Sequence, residues 1–186
     1  MNEVKLPDSI IPSRIKTVML CDALSGTPEN YFYGSADMPF ARNTLTAFEN
    51  AGIPVPDIGG ITKLGVYLTS AVKEPRKGLT VPAGIIKAHS FTLEKELALF
   101  PNLKCIILMG DTAIKALNLI AVRNTGKRAV PAGSTYKIRA GKYFYNGIRL
   151  FPSYLQTGQN FLIEKSKQKM VAEDIRGALA AAGTLS

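Results

Sequence analysis

The chain has 186 residues, enough for one domain with a full-sized core. Hydrophobic residues make up 46% and charged residues 20%, which excludes a disordered chain, and no apolar run nears the roughly 20 residues of a bilayer span. A net charge of +9 directs attention to polyanionic partners, nucleic acid first among them.

The N-terminus, MNEVKLPDSIIPSRIK, has no continuous apolar segment of the kind a secretory signal needs, so a cytoplasmic location is expected. The two cysteines, Cys21 and Cys105, both fall inside apolar strand-like runs. They are expected to be small buried hydrophobes rather than a disulfide framework. The charge is uneven. Between Thr112 and Ile163 there is no acidic residue, yet Lys115, Arg123, Lys127, Arg128, Lys137, Arg139, Lys142 and Arg149 all lie there. Such a segment predicts a basic face that attracts a polyanion.

In chain order, residues 1–16 form an irregular lead-in carrying Pro7 and Pro12. Val18-Met19-Leu20-Cys21 is a continuous apolar run, as expected of a buried parallel strand, and it stops at Asp22. A loop punctuated by Ser25, Gly26, Pro28, Gly34 and Ser35 follows, then a helical pattern from Pro39 with Phe40, Leu45 and Phe48, ending at Gly52. Strand, long loop and helix is how an open α/β sheet builds a site outside a strand's carboxyl end. Asp22 beside the loop aromatics therefore predicts a pocket. The plainer alternative is that Asp22 caps a turn while Tyr31, Phe32, Tyr33 and Phe40 fill a core.

Ile53 to Ile61 is a proline- and glycine-rich connection, and Leu64 to Val72 predicts a second strand. A helix is expected after Pro82, clearest from Ser90 and ended by Pro101. Leu103 to Met109 is the strongest strand signal, followed by a Gly110-Asp111 turn in which Asp111 is expected to cap a helix through Leu117 and Ile120. Asn146-Gly147 between KYFY and IRLF predicts a hairpin, with Ile148 to Phe151 as the last strand. Asn160 is expected to cap a final helix that Gly183 stops. Alternating strands and helices predict an α/β fold over residues 1–186. It would be a three-layer α/β/α sandwich on a central, mainly parallel sheet of about four strands.

Familiar chemistries are missing. Neither GxGxxG after the first strand nor GxxxxGK[ST] occurs, and two cysteines with one histidine do not make a zinc site, so no metal and no cofactor is expected. His89, expected at a helix start, lacks the context of a catalytic triad.

Five short segments, in order, resemble the uracil-DNA glycosylase superfamily, most closely its small microbial Gly-Glu-Ala-Pro-Gly type. They are Cys21-Asp22-Ala23-Leu24-Ser25, Met38-Pro39-Phe40, Tyr67-Leu68-Thr69-Ser70-Ala71-Val72-Lys73, Met109-Gly110-Asp111-Thr112-Ala113-Ile114-Lys115-Ala116-Leu117 and Phe151-Pro152-Ser153-Tyr154-Leu155. Asp174-Ile175 adds a further match in the last helix. The resemblance implies a DNA glycosylase that flips a damaged, deaminated base into a pocket and hydrolyses its N-glycosidic bond in base excision repair. It implies Asp22 as the catalytic carboxylate and a base pocket of Ala23, Leu24, Phe40, Ser70 and Phe151. Phe40 would stack on the base, Ser70 would read its edge, and Leu155 would wedge into the duplex beside Ser153. Lys127, Arg128 and Arg139 would contact the DNA backbone, and the protein is expected to work as a monomer.

Three departures bear on this. Phe151 stands in place of the family histidine, Ser70 in place of its asparagine, and the four cysteines of the relatives' iron–sulfur cluster are absent. A catalytically degenerate nucleic-acid-binding module of the same fold is therefore the alternative, and a hydrolase of free nucleosides is a third reading.

Overall fold

The structure is a computed structural model that describes residues 4–24, 32–33, 38–78, 80–156 and 161–185. The first strand, β1 (Thr17–Leu24), is its axis. Val18, Met19, Leu20 and Cys21 are all 0% exposed, as a strand covered on both faces requires. Strand β2 (Val66–Pro75) lies parallel on one side of β1 and β3 (Cys105–Met109) parallel on the other. Strand β5 (Ile148–Ser153) extends the parallel set beyond β3, and β4 (Tyr143–Tyr145) closes that edge antiparallel. The order is β2-β1-β3-β5-β4. The predicted α/β sandwich is thus correct, with the hairpin strand as a fifth member of the sheet. Its turn is Asn146-Gly147 at φ 48 and 79, the double left-handed conformation that matches strand twist.

Six α-helices, with a 3-10 turn at Pro12–Arg14, complete the elements of the described residues: α1 (Pro39–Asn50), α2 (Ile58–Lys63), α3 (Ala83–Leu97), α4 (Asp111–Thr125), α5 (Thr135–Ile138) and α6 (Lys165–Ala181). Because side chains alternate along a strand, the sheet divides its apolar residues between two cores. Met19, Cys21, Leu68, Ile107 and Met109 face α1 and α6, where Phe48, Ile175 and Leu179 meet them. Val18, Leu20, Ile106 and Leu108 face α3 and α4, against Leu93, Leu117 and Ile120.

Several boundaries differ from expectation. The Ile53 to Ile61 connection contains α2, whose start Asp57 caps by accepting from the Gly60 amide at 2.7 Å. At α4 the cap position is Gly110 (φ +92) rather than Asp111, which is the first helical residue. The tight exit from β3 needs that backbone conformation, which glycine alone adopts freely. His89 lies in the middle of α3, not at a helix start. Helix α6 begins at Lys165, with Glu164 at the N-cap position and no side-chain capping bond. Asn160 and the loop residues 25–31 and 34–37, Tyr31 included, lie outside the described residues, as does the Leu24 side chain.

Candidate active site at the carboxyl edge of the sheet

The chain leaves β1 toward α1 on one face and leaves β3 toward α4 on the other, so a crevice opens between the carboxyl ends of these neighbours. The sequence motifs collect at this edge. Gly110 donates its amide to the Ser153 carbonyl at 2.9 Å, which joins the ends of β3 and β5. Cys21 pairs across to Ser70, which joins β1 and β2.

Asp22 stands at the end of β1 with its side chain 14% exposed, and its Oδ2 accepts from Arg76 Nη1 at 3.1 Å. Its Oδ1 is buried and has no hydrogen-bond partner among the described residues. Arg76 is itself anchored, donating through Nε to the Gly78 carbonyl at 2.7 Å. Beside this pair is a cavity of about 220 Å³, lined by Ala23, Val72, Arg76, Val81 and Ile85 among others. A carboxylate oxygen without a partner at the end of a buried strand is costly unless something charged or hydrogen-bonding meets it.

On the other side of β1, Phe40 is buried and set edge-on to Phe32 at 4.5 Å. Gln156, 0% exposed, lies beneath it. Its Nε2 donates to Cys21 Sγ and Thr44 Oγ1, each at 3.4 Å, and its carbonyl accepts from Asn43 Nδ2 at 3.1 Å. Thr44 in turn donates to the Phe40 carbonyl at 2.9 Å. One amide therefore ties the start of α1 to the end of β1. Burial pushes the Cys21 thiol up to about 12, and the Gln156 hydrogen bond only partly offsets this, so Cys21 is a neutral packing group. Ser70 is also buried, and its hydroxyl donates to the Val72 carbonyl at 2.9 Å.

The chain matches the model of the Uracil DNA glycosylase superfamily over residues 23–175. It belongs to that superfamily. The match opens at Ala23, directly after Asp22, and runs well over half of the chain. Comparison with curated proteins gave no match. An iron–sulfur cluster held by four cysteines does not fit the residues present. The chain's two cysteines are buried in neighbouring strands, and Cys105 pairs with Thr17 at the opposite end of β1 from Cys21. That separates them by four strand residues, or roughly 13 Å.

The remaining superfamily positions divide. Phe151 is half-buried in β5, with the Arg149 guanidinium 4.8 Å over its ring. Leu155 is half-buried against the α1/α6 core and lies against Gly110, where an added Cβ would sit 3.4 Å from its own. Ser153 is not on the surface. It is 0% exposed and donates to Asp174 Oδ2 at 2.6 Å.

Arg139 is not a free cation. Its guanidinium donates to Asp174 Oδ1 at 2.8 Å, to Glu173 at 3.1 Å and to the Met170 carbonyl at 2.9 Å. Burial pushes the Asp174 carboxyl up, against the pull of Ser153 and Arg139, while Arg139 is held above its ordinary value by Asp174 and Glu173 despite its own burial. Lys127 is exposed at the far end of α4, which runs its 15 residues away from the carboxyl edge, about 20 Å by helical rise. The basic residues at the edge are instead Arg76 and Lys77, in a loop whose composition alone showed only mixed charge. Gln156 and Asn43, which order the site, also carried no sequence signal.

Proposed function

We propose that this protein is a DNA glycosylase that removes a deaminated base, with Asp22 as its catalytic carboxylate. The observation that carries the reading is the Asp22 carboxylate itself. It sits at the end of the central strand, at the crevice between oppositely running connections, with one oxygen unpartnered among the described residues and a cavity beside it. Breaking the N-glycosidic bond develops positive charge on the sugar, and a fixed anion in a partly dry site stabilises that charge strongly. The C–N bonding electrons leave with the base, a water oxygen adds to C1′ of the sugar, and the water's proton passes through Asp22 to solvent. Phe151, where superfamily relatives carry histidine, gives the leaving base no donor. Base choice therefore falls to other groups at the carboxyl edge.

A panel of duplexes carrying uracil, hypoxanthine or xanthine, assayed for alkali-labile breaks, tests this. At least one lesion should be processed, and Asp22→Asn should slow it on the order of a hundredfold while duplex binding is kept. An Asp22→Asn protein with full activity would remove Asp22 from the mechanism. The second reading, a binding module without the reaction, is favoured by Ser70, whose hydroxyl already serves the Val72 carbonyl. Salt-sensitive duplex binding with no lesion processed would establish that reading instead.

A further inference from the structure

A second concavity lies on the α3/α4 face, across the sheet from α1 and α6. It is a groove of about 710 Å³, more than three times the volume beside Asp22. Its floor is aliphatic: Ile86 on α3, Ile114 on α4 and Ile138 on α5 are each under 10% exposed. Val122, 44% exposed, and Leu119 rise along one side. Lining residues on α4 run from Asp111 to Val122, a length of about 16 Å, or three helical turns. The outer wall is fixed in place. Asn118 donates to the Val130 carbonyl at 2.9 Å and accepts from the Ala129 and Val130 amides at 3.0 Å, which clamps the chain after α4 onto that helix.

The rim carries three cations, Lys87 from α3, Lys115 from α4 and Arg128 from the clamped segment. None of the three is in an ion pair among the described residues, and the lining contains a single acid, Asp111. We propose that this groove docks an acidic, amphipathic helical segment of a partner protein. Its aliphatic face would fill the floor, and its flanking carboxylates would meet Lys87, Lys115 and Arg128. The chemistry separates this occupant from DNA. Phosphates match the rim but gain nothing from an aliphatic floor, and bases seek aromatic platforms, of which the lining has none. An amphipathic helix uses both features at once, and a preformed groove saves the cost of ordering the receptor side.

The test uses the whole protein and two labelled probe helices with leucines three and four residues apart, one flanked by glutamate and the other by lysine. Fluorescence anisotropy should show saturable binding of the glutamate probe alone. Lys115→Glu with Arg128→Glu, and separately Val122→Asp, should each weaken it at least tenfold with an unchanged circular dichroism spectrum, and Asp22→Asn should leave it unaltered. Absence of binding, or equal binding of both probes, overturns the proposal. Displacement of the glutamate probe by a plain duplex, with Arg128→Glu weakening duplex and probe alike, would make the groove a DNA surface and overturn it as well.

Discussion

Single side chains at this edge work through their second partners. Asp22 is held by Arg76 on one oxygen and has no partner on the other among the described residues, and Gln156 gives its amide to Cys21 and Thr44 rather than to solvent. Glu94 on α3 gives the clearest titration. It accepts from Arg123 Nη2 at 2.5 Å and from Asn124. Burial works to raise its carboxyl, but the hydrogen bonds from Asn124 and Arg123 hold it below the ordinary 4.5. A carboxylate lowered in the folded state adds stability above its unfolded value and loses it as the pH falls through the folded one. Glu94→Gln should therefore cost about 0.5 kcal/mol at pH 7, as partly exposed pairs do, and nothing once the pH lies below the native titration. Urea midpoints of the two proteins, taken from pH 7 down, measure the difference.

At the scale of elements, β5, α6 and the segment after α5 are tied at one point. Ser153, Asp174 and Arg139 meet there, and Asp174 is the shared partner. Asp174→Ala leaves a largely buried guanidinium with only Glu173 and the Met170 carbonyl as partners, a loss of about 3 kcal/mol that urea unfolding should register. Glu173→Ala, which removes only the more exposed arm, should cost far less. The strands of this assembly were legible in the sequence because continuous runs such as Val18 to Cys21 and Cys105 to Met109 have few other ways to bury themselves. The hairpin was legible because Asn-Gly accepts two left-handed residues. Helix α2 was hidden by its own prolines and glycines, and the Gly110 cap by an aspartate that looked better suited. The site was legible only as a place. Asp22 and Phe40 were singled out by their positions near the end of β1 and at the start of α1. The ion pairs of Arg139 were not legible, because a run of basic residues does not show that its acids arrive from about 35 residues away, in α6.

Across the whole molecule, the charge is distributed by face rather than by segment. Of the basic run in the second half, Arg139 goes to the Asp174 tie, Arg123 to the Glu94 pair, and Lys115 and Arg128 to the rim of the α3/α4 groove. The cations next to Asp22 come from the β2–α3 loop. If a duplex lies across the carboxyl edge, Lys77→Ala should lower the slope of log affinity against log salt by about one. Lys127→Ala, some 20 Å down α4, should leave it unchanged. Binding measured over a series of salt concentrations separates the two placements, and a reduced slope for Lys127→Ala would extend the footprint to the far end of the molecule.

The central position of β1 has a consequence for the making of the chain. It precedes the other strands of this sheet, yet one of its neighbours, β3, follows some 80 residues later, and the Val171, Ile175 and Leu179 side chains that cover its α1 face come after every strand. Throughout that interval Met19 and Cys21 lack their final cover, and a nascent chain leaving the ribosome carries an unfinished apolar sheet face. The α3/α4 side can close early, while the side holding Phe40 and Gln156 waits for α6. Completion of the last helix, rather than of the strands, is then the event that sets the candidate site in its final shape.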